Sequence, residues 1–437
     1  MLGAIDEHRT SAAYRTAVDA EAYYNGENPT INRYEKLLYD MQGKAHADIY
    51  TANHKLASRF FGFAVDQEVS YLLGNGVSFA DDSTARRLGA EFDLDVMDAA
   101  KAAKLGGVSF GFWNLDKLQV FSLAEFVPLY DEENGALMAG IRFWQIAPDR
   151  PLRATLYERD GFTEYRRPRG GSMEVMRPKR SYKQLVRTSV AGGTEIFDGG
   201  NYPGFPIVPL RNNRRCLSEL AGKRNTIDAL DLVSSNMVNN VDEGNLIYWV
   251  LSNCGGMDDL DDARFIERLK TVHVAHADGD DGARAEAHSL EAPFEGTSAT
   301  IDMLKRKLYE DFQCFDASAV TAGNQTATAI KASYAPLDLQ TDRFETEVTR
   351  FICEILRLAG IDDRPSYTRN QIINRSEETQ SILMGAQYYD DEYITKKLLT
   401  INGDIDQYGE MMKRKAAEEQ GRYGRELPEV NGDGDAQ

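Results

Sequence analysis

Cysteine is scarce in this chain. There are four in 437 residues (Cys216, Cys254, Cys314 and Cys353), and no two are close enough to make a CxxC pair. That spacing argues against a disulfide framework and a zinc ribbon, so free, buried thiols in a reducing compartment are expected. Long apolar runs are also missing: no stretch reaches the roughly 18 residues that a membrane helix needs. The N-terminus, MLGAIDEHRTSAAYRTAVDA, is charged early and has no apolar centre, so it does not read as a secretory signal. The expectation is a soluble protein made in the cytosol, with no membrane partner. No GxxxxGK[ST] occurs, which argues against a P-loop, and no GxSxG elbow frames a nucleophile. Positive charge is in deficit. The formal net charge is −19, which repels nucleic acid overall and restricts any contact with DNA to local or weak ones.

Apolar material is plentiful. Hydrophobic residues make up 42% of the chain, with 21 Tyr and 19 Phe, enough for two or three structural units. Residues 1–43 read as a short helical segment, a turn at Asn28-Pro29 and a connector. Leu56, Phe60, Phe63, Ala64, Val69 and Leu72 recur at helical spacing and predict a helix over 53–73. Gly74 and Gly76 would end it through positive φ. A second helix is expected over 96–105, stopped by Gly106-Gly107.

From Val108 the period changes to two. FVPLY and IRFW flank a DEENG turn, and further strand-like runs lie at 154–157, 163–166 and 184–189. Residues 108–210 therefore read as one antiparallel sheet domain. A glycine-rich stretch at 191–200, AGGTEIFDGG, lacks a lysine and reads as a loop. Between Arg150 and Arg187, eleven Lys or Arg face four acids, a net of +7; this is either a solvated hairpin face or a surface for phosphate or an acidic partner.

The region after Pro209 is mainly helical. Ile227, Leu230, Val233, Met237, Val238 and Val241 give one apolar face to a helix capped by Ser218, and LIYWVL (246–251) follows as a strand. Residues 255–296 carry eleven acids against four bases. Within them, His273, His276 and His288 lack a further close ligand, and DGDDG (278–282) lacks the closing Glu of a calcium loop, so no metal and no cofactor are expected. A second capped helix starts near Thr297 with Ile301, Leu304, Leu308 and Phe312 on one stripe. Its Lys305, Arg306 and Lys307 are about 100° apart in projection, so at least one faces away from the stripe. A loop of little apolar bulk, DASAVTAGNQTAT (316–328), leads to a long helix beginning near Pro336, with Phe344, Val348, Phe351, Ile355 and Leu358 inward. The last helical portion covers 376–420. The polar tail after it is expected to be disordered.

The order of these features resembles the portal proteins of tailed bacteriophages, specifically the long-tailed siphophage type. YYNGENPTINR (23–33) is similar to the family's opening segment. NHKLASRFFGFAVDQEVSYLLGNGVSF (53–79) resembles its helix entering the wing, and FVPLYDEENGALMAGIRFWQI (126–146) its wing hairpin. In the junction FPIVPLRNNRRCLSELAGKRNTIDALDLVSSNMVNNV (205–241), Asn212, Ser218, Leu220, Ile227, Asp228, Ala229, Asp231, Ser235 and Asn239 or Asn240 fall on the family pattern. AGNQTATAIKASYAPLD (322–338) resembles its tunnel-loop exit, with Thr326 and Ala327 standing where Ser-Gly is usual.

The resemblance implies an α+β portal fold with a β-rich wing, a two-helix stem, a small α/β clip and a helical C-terminal crown. The wing would be 1–217 and 327–375, the stem helices 218–244 and 298–316, the clip 245–297, the tunnel loop 317–326 and the crown 376–420, with a disordered tail at 421–437. It implies no catalytic role. It implies instead a homo-oligomeric ring, twelve copies being usual, at one vertex of the virion capsid. Double-stranded DNA would be packaged and ejected through the ring without sequence specificity. The expected partners are a terminase large subunit, head–tail adaptor proteins and the major capsid or scaffold protein. The expected DNA-facing residues are Lys305, Arg306, Lys307, Ser318, Thr321, Asn324, Gln325 and Thr326. The expected adaptor-docking residues are Asp258, Asp259, Asp261 and Asp262. Another virion structural protein, or a cytosolic enzyme, is the alternative reading.

Overall fold

A computed structural model describes residues 1–39, 43–48, 51–188, 194–244, 247–252, 284–289, 294–318, 327–370 and 375–423. The chain divides into two units. The first is Met1–Phe315 with Pro336–Asn370, and the second is Asp316–Ala335 with Gln371–Gln437. Helices and antiparallel strands are mixed, as the α+β expectation requires.

The first unit opens with three helices, α1 (Leu2–Thr10), α2 (Ala12–Asn25) and α3 (Pro29–Arg33). Ser11 caps α2 by accepting from the Tyr14 amide, and Asn28 caps α3 by accepting from the amides of Thr30 and Ile31. Pro29 occupies the first position of α3, where a missing N–H costs nothing. Strands β1 (Leu37–Tyr39) and β2 (Ala45–Ala47) form a small pair. Residues 52–59 then run without helix or strand, and α4 occupies only Phe60–Leu73. The sequence periodicity that extends to 53 is thus not helical before Phe60. Gly74 also departs from expectation: its φ is −64°, right-handed, and only Gly76 takes a positive φ, 76°.

Strand β3 (Val77–Ser78) and helices α5 (Asp82–Leu88) and α6 (Phe92–Gly106) follow. Gly107 ends α6 at φ 82°, and a Cβ there would lie 2.2 Å from the Cys216 carbonyl oxygen. The 211–218 turn is thereby packed onto the end of α6, with the Asn212 amide donating to the Gly107 carbonyl at 2.9 Å.

The β region is two sheets and a hairpin, not one sheet. Strands β4 (Val108–Asn114) and β5 (Lys117–Ser122) pair with each other, and β13 (Ile207–Arg211) pairs with β4. A five-stranded meander is formed by β6 (Phe126–Tyr130), β7 (Leu137–Trp144), β8 (Leu152–Glu158), β9 (Gly161–Arg167) and β10 (Glu174–Arg180). Strands β11 (Gln184–Thr188) and β12 (Thr194–Asp198) form the hairpin, so the centre of AGGTEIFDGG is strand and not loop. The sheets pack through aromatic rings: Phe110 lies 4.5 Å from Phe126, and Phe112 lies 5.1 Å from Tyr157. The opposite face of the meander buries Val127, Ile141 and Phe143 against Ile5 of α1.

Two long helices close the first unit's sequence of elements before its return. They are α7 (Arg224–Gly244) and α8 (Phe294–Asp311), and they are linked through the antiparallel pair β14 (Ile247–Ser252) and β15 (Arg284–Ser289). Ile247 stands opposite Ser289, so α7 and α8 run in opposite directions. After α9 (Ala327–Ser333) comes α10 (Ala335–Ala359), which buries Phe344, Val348, Phe351, Ile352, Ile355 and Leu356 in the main core. Strand β16 (Ser366–Tyr367) then pairs with β3. The second unit contains α9 and the helices α11 (Arg375–Gly385), α12 (Asp391–Asn402) and α13 (Tyr408–Tyr423).

The expectation of buried thiols holds for Cys314 alone among the described cysteines: Cys353 is half-buried, and Cys216 is exposed in the turn packed against Gly107. Cys254, His273, His276, DGDDG and the four aspartates at 258–262 lie outside the described residues.

Candidate functional site

The candidate site is the antiparallel pair α7–α8 and the chain leaving it. The helices meet through Ile227, Leu230, Leu308 and Phe312, all under 5% exposed, with Ile301 and Leu304 packed beside them. Phe312 and Tyr309 also pack against Phe60 of α4, with ring centres 5.7 and 5.1 Å away, the tyrosine edge-on. The C-terminal end of α8 is therefore embedded in the main core. The chain emerging from it is clamped by Gln67, whose amide oxygen accepts from the Phe315 N–H at 2.8 Å and whose amide nitrogen donates to the Phe315 carbonyl at 2.9 Å.

On α8, Lys305, Arg306 and Lys307 are all exposed. Taking the Leu304–Leu308–Ile301 stripe as inward, Arg306 projects roughly 165° from it. Lys305 and Arg306 have no ion pair among the described residues, whereas Lys307 is held by Asp311 at 3.0 Å, one turn on. Acids lie close to this triplet. Asp302 is four residues before Arg306, and Glu310 four after it. Three cations and three acids thus share nearly three turns, and the surface alternates in sign along the helix axis instead of being uniformly positive. Of the predicted loop residues, Ser318 is exposed, and its hydroxyl donates to Asp316 at 2.6 Å. Thr321, Asn324, Gln325 and Thr326 lie outside the described residues.

The other side of α7 is the part that sequence reasoning missed. Asp231, Ser235 and Asn239 fall one turn apart and are each under 4% exposed. They accept the backbone amides of Ser58 (3.0 Å), Leu56 (2.9 Å) and His54 (2.7 Å), respectively. Alternate residues of the non-helical 54–58 strap are thereby bound to one polar stripe of the helix. It is Asn239, not Asn240, that serves. Asn28, fully buried, donates to Asp228 at 2.9 Å and to Asp231 at 2.7 Å. Tyr23 donates to Asp228 at 2.5 Å, and Arg224 reaches both Tyr23 (3.1 Å) and Asp19 (2.7 Å). Burial pushes the Tyr23 hydroxyl up to about 12, and the bond to Asp228 adds to the shift. Burial likewise raises Asp231, against the lowering effect of Asn28 and Ser58.

A buried ionic cluster lies at the root of α7. Lys104, 2% exposed, contacts Glu68 at 2.6 Å and Glu219 at 3.6 Å, and its ammonium sits 4.1 Å from the centre of the Phe344 ring. Lys223 pairs with Glu219, and Gln340 donates to Glu68 at 2.7 Å and Glu219 at 3.2 Å. Burial opposes ionisation of Glu219, but Lys104 and Lys223 together outweigh it and hold that carboxyl down at about 2. At Glu68 burial dominates and raises the carboxyl, with Lys104 offsetting part of the shift. Ser218 is not the cap of α7. Its hydroxyl accepts the Leu220 amide in a turn that precedes the helix, which begins at Arg224. Asn212, 6% exposed, braces that turn by donating to the Leu217 carbonyl and to Glu219. Only a lysine at a helix-core position, Lys104, hinted in sequence at this cluster.

Among the described residues, no group of three or more His, Cys, Asp or Glu is placed to hold a metal ion, and no helix is long and apolar enough to cross a membrane. Comparison with known proteins gives a family. The model described as "Phage portal protein, SPP1 Gp6-like" matches residues 5–422. The portal protein of Bacillus phage SPP1 is 24% identical over 412 residues, covering 87% of this chain and 78% of the relative. The portal protein of Clostridium phage phiCD119 is 24% identical over 403 residues, covering 84% of this chain and 85% of the relative.

Proposed function

This chain belongs to the SPP1 Gp6-like family of phage portal proteins, and from that premise we propose that its copies close into a ring, of twelve subunits, around double-stranded DNA at one capsid vertex. The helices α7 and α8 are the stem that lines the channel. Residues 245–297 are the clip, whose Asp258, Asp259, Asp261 and Asp262 dock head–tail adaptors. The loop at 317–326 is the tunnel loop, the helices after 375 are the crown, and the sheets with α1–α6 and α10 are the wing. A heterologous contact repeated by rotation closes such a ring. The terminase large subunit supplies the motor, in keeping with a portal as a structural protein and not an enzyme. The major capsid or scaffold protein surrounds the wing.

The observation that carries this reading is the position of α8's exposed Lys305 and Arg306, which have no ion pair among the described residues, between acids about one turn away on each side. Repeated around a ring, that arrangement gives a band of cations between bands of acids. DNA is centred and screened within a Debye length of about 10 Å, but is not gripped. The test is Lys305→Gln with Arg306→Gln in the full chain. Rings of unchanged mass and appearance by native mass measurement and negative-stain microscopy, together with a loss of packaged or retained DNA, are expected. Normal packaging yields from that variant would refute the DNA-facing assignment.

A further inference from the structure

The five-stranded meander carries a second cationic surface, unconnected with α8. Strand register places Trp144, Arg153, Arg166 and Glu174 in one row across β7, β8, β9 and β10, so their side chains share a face. Arg153 stands directly opposite Arg166. Like charges directly opposed destabilise a sheet, and nothing in the fold relieves this pair fully. Arg166 has Glu174 at 3.6 Å, but Arg153 is exposed and has no ion pair among the described residues. The adjoining turns add Arg150 and Arg169. Arg169 is also exposed and without an ion pair among the described residues. Meanwhile all four acids of the 150–187 segment are already engaged: Glu158 and Asp160 by Lys179, Glu164 by Arg177 and Arg180, and Glu174 by Arg166. The excess of +7 is therefore not neutralised within the segment; Arg150, Arg153, Arg166, Arg167 and Arg169 lie in or beside the β7–β8 and β9–β10 turns at this end of the row, where Asp149 reaches Arg150 at 3.8 Å.

We propose that this sheet end, centred on Arg153, Arg166 and Arg169 with Trp144 beside them, is a phosphate-backbone contact for duplex DNA outside the channel. Nine of the eleven cations of the segment are arginine, whose planar fork matches phosphate oxygens in pairs. Duplex DNA presents a charge about every 1.7 Å, a density suited to an arginine row with adjacent strands about 4.8 Å apart. The choice of DNA as the polyanion rests on the portal reading above; the cationic site itself does not.

The test measures binding of a fluorescent 30-base-pair duplex to the full chain across a salt series. It compares wild type, Arg153→Ala/Arg166→Ala/Arg169→Ala, the same three positions changed to Lys, and Lys305→Gln/Arg306→Gln. Each neutralised phosphate contact contributes about 0.9 to the slope of log affinity against log salt. The alanine variant should show a slope shallower by about 2–3, and the lysine variant should keep the wild-type slope. The channel variant reports separately, so failure of the portal reading and failure of this one are distinguishable. A wild-type slope in the alanine variant, with circular dichroism and native mass unchanged, overturns the proposal. So does a loss of binding to poly-glutamate without loss of DNA binding, which would give the face to an acidic protein. Loss of the oligomer in the alanine variant also overturns it, by giving the face to a neighbouring copy.

Discussion

Replacing Asn28 tests whether the root of α7 is held by charge-assisted hydrogen bonds or by packing alone. Asn28 is fully buried, and its side chain has two roles. Its oxygen caps α3, and its nitrogen donates to both Asp228 and Asp231. In Asn28→Ala the lost cap costs about 1 kcal/mol. Two carboxylates, the buried Asp231 and the half-buried Asp228, each lose a donor, at about 1–3 kcal/mol for a group left unsatisfied. Asp231 keeps the Ser58 amide and Asp228 keeps Tyr23, so the lower half of that range applies. The expected total is about 3–5 kcal/mol. Asn28→Asp preserves shape and cap but puts a third carboxylate within about 3 Å of the other two. At an effective dielectric of 20, each such repulsion is worth up to about 4 kcal/mol, so at pH 7 the isosteric change is the worse one. The sign with pH follows. Repulsion raises at least one folded-state carboxyl pKa above its unfolded value near 4, so the destabilisation is present above that raised value and recedes as pH falls toward 4. The assay is urea unfolding followed through Trp113, which is 2% exposed in the first unit's core, at pH 7 and pH 5. An Asn28→Asp protein as stable as Asn28→Ala at pH 7, or a gap between them that does not narrow at pH 5, would show that charge at this site does not hold the root of α7.

Ser235→Ala removes the acceptor of the buried Leu56 amide and should cost about 1–3 kcal/mol, with hydrogen exchange at Leu56 accelerated in proportion; unchanged exchange there would dismiss the strap as incidental. The Glu219 carboxyl is depressed to about 2 in the folded protein, so its stabilisation is full above pH 4.5 and is lost as pH falls from about 4.5 to 2. Glu219→Gln should lower stability at pH 7 by about 3 kcal/mol and flatten that part of the acid limb, measured by thermal unfolding across pH 2–7.

Much of the fold is legible in the sequence because it depends on local periodicity. The alternation at Phe110 and Phe112, the DEENG turn and the stripe of α10 each state their own structure, and the strands and helix appear where those signals lie. What was not legible depends on partners distant in sequence. Leu56 has helical spacing with Phe60, yet its amide is bound by Ser235, 179 residues away, and the backbone there never enters the helix. The boundary between the two sheets is likewise decided by the stacking of Phe110 on Phe126, which no two-residue period encodes. At the site, the exposed face of α8 could be derived from spacing alone. The compensating acids were visible only as residues, and the Lys307–Asp311 pair needed the rotamers. Lys104 sits at a core position of α6 and would be read as surface by charge; burial became possible only because Glu68 and Glu219 converge on it from two other segments.

The bonds between α7 and the strap also explain why Asp231, Ser235 and Asn239 are spaced by four. One turn and a fraction of α-helix, four residues, advances about 6.0 Å, while two residues of extended chain advance about 6.6 Å. The two elements therefore remain in step for three rungs, Asp231–Ser58, Ser235–Leu56 and Asn239–His54, accumulating only about 1.2 Å of mismatch. Beyond the third rung a backbone amide no longer falls opposite a side chain of α7. The next contact is made instead between side chains, with the His54 ring 3.2 Å from Asp242. A helix held this way is bound to the strap from Asp231 to Asp242, over most of its 21 residues.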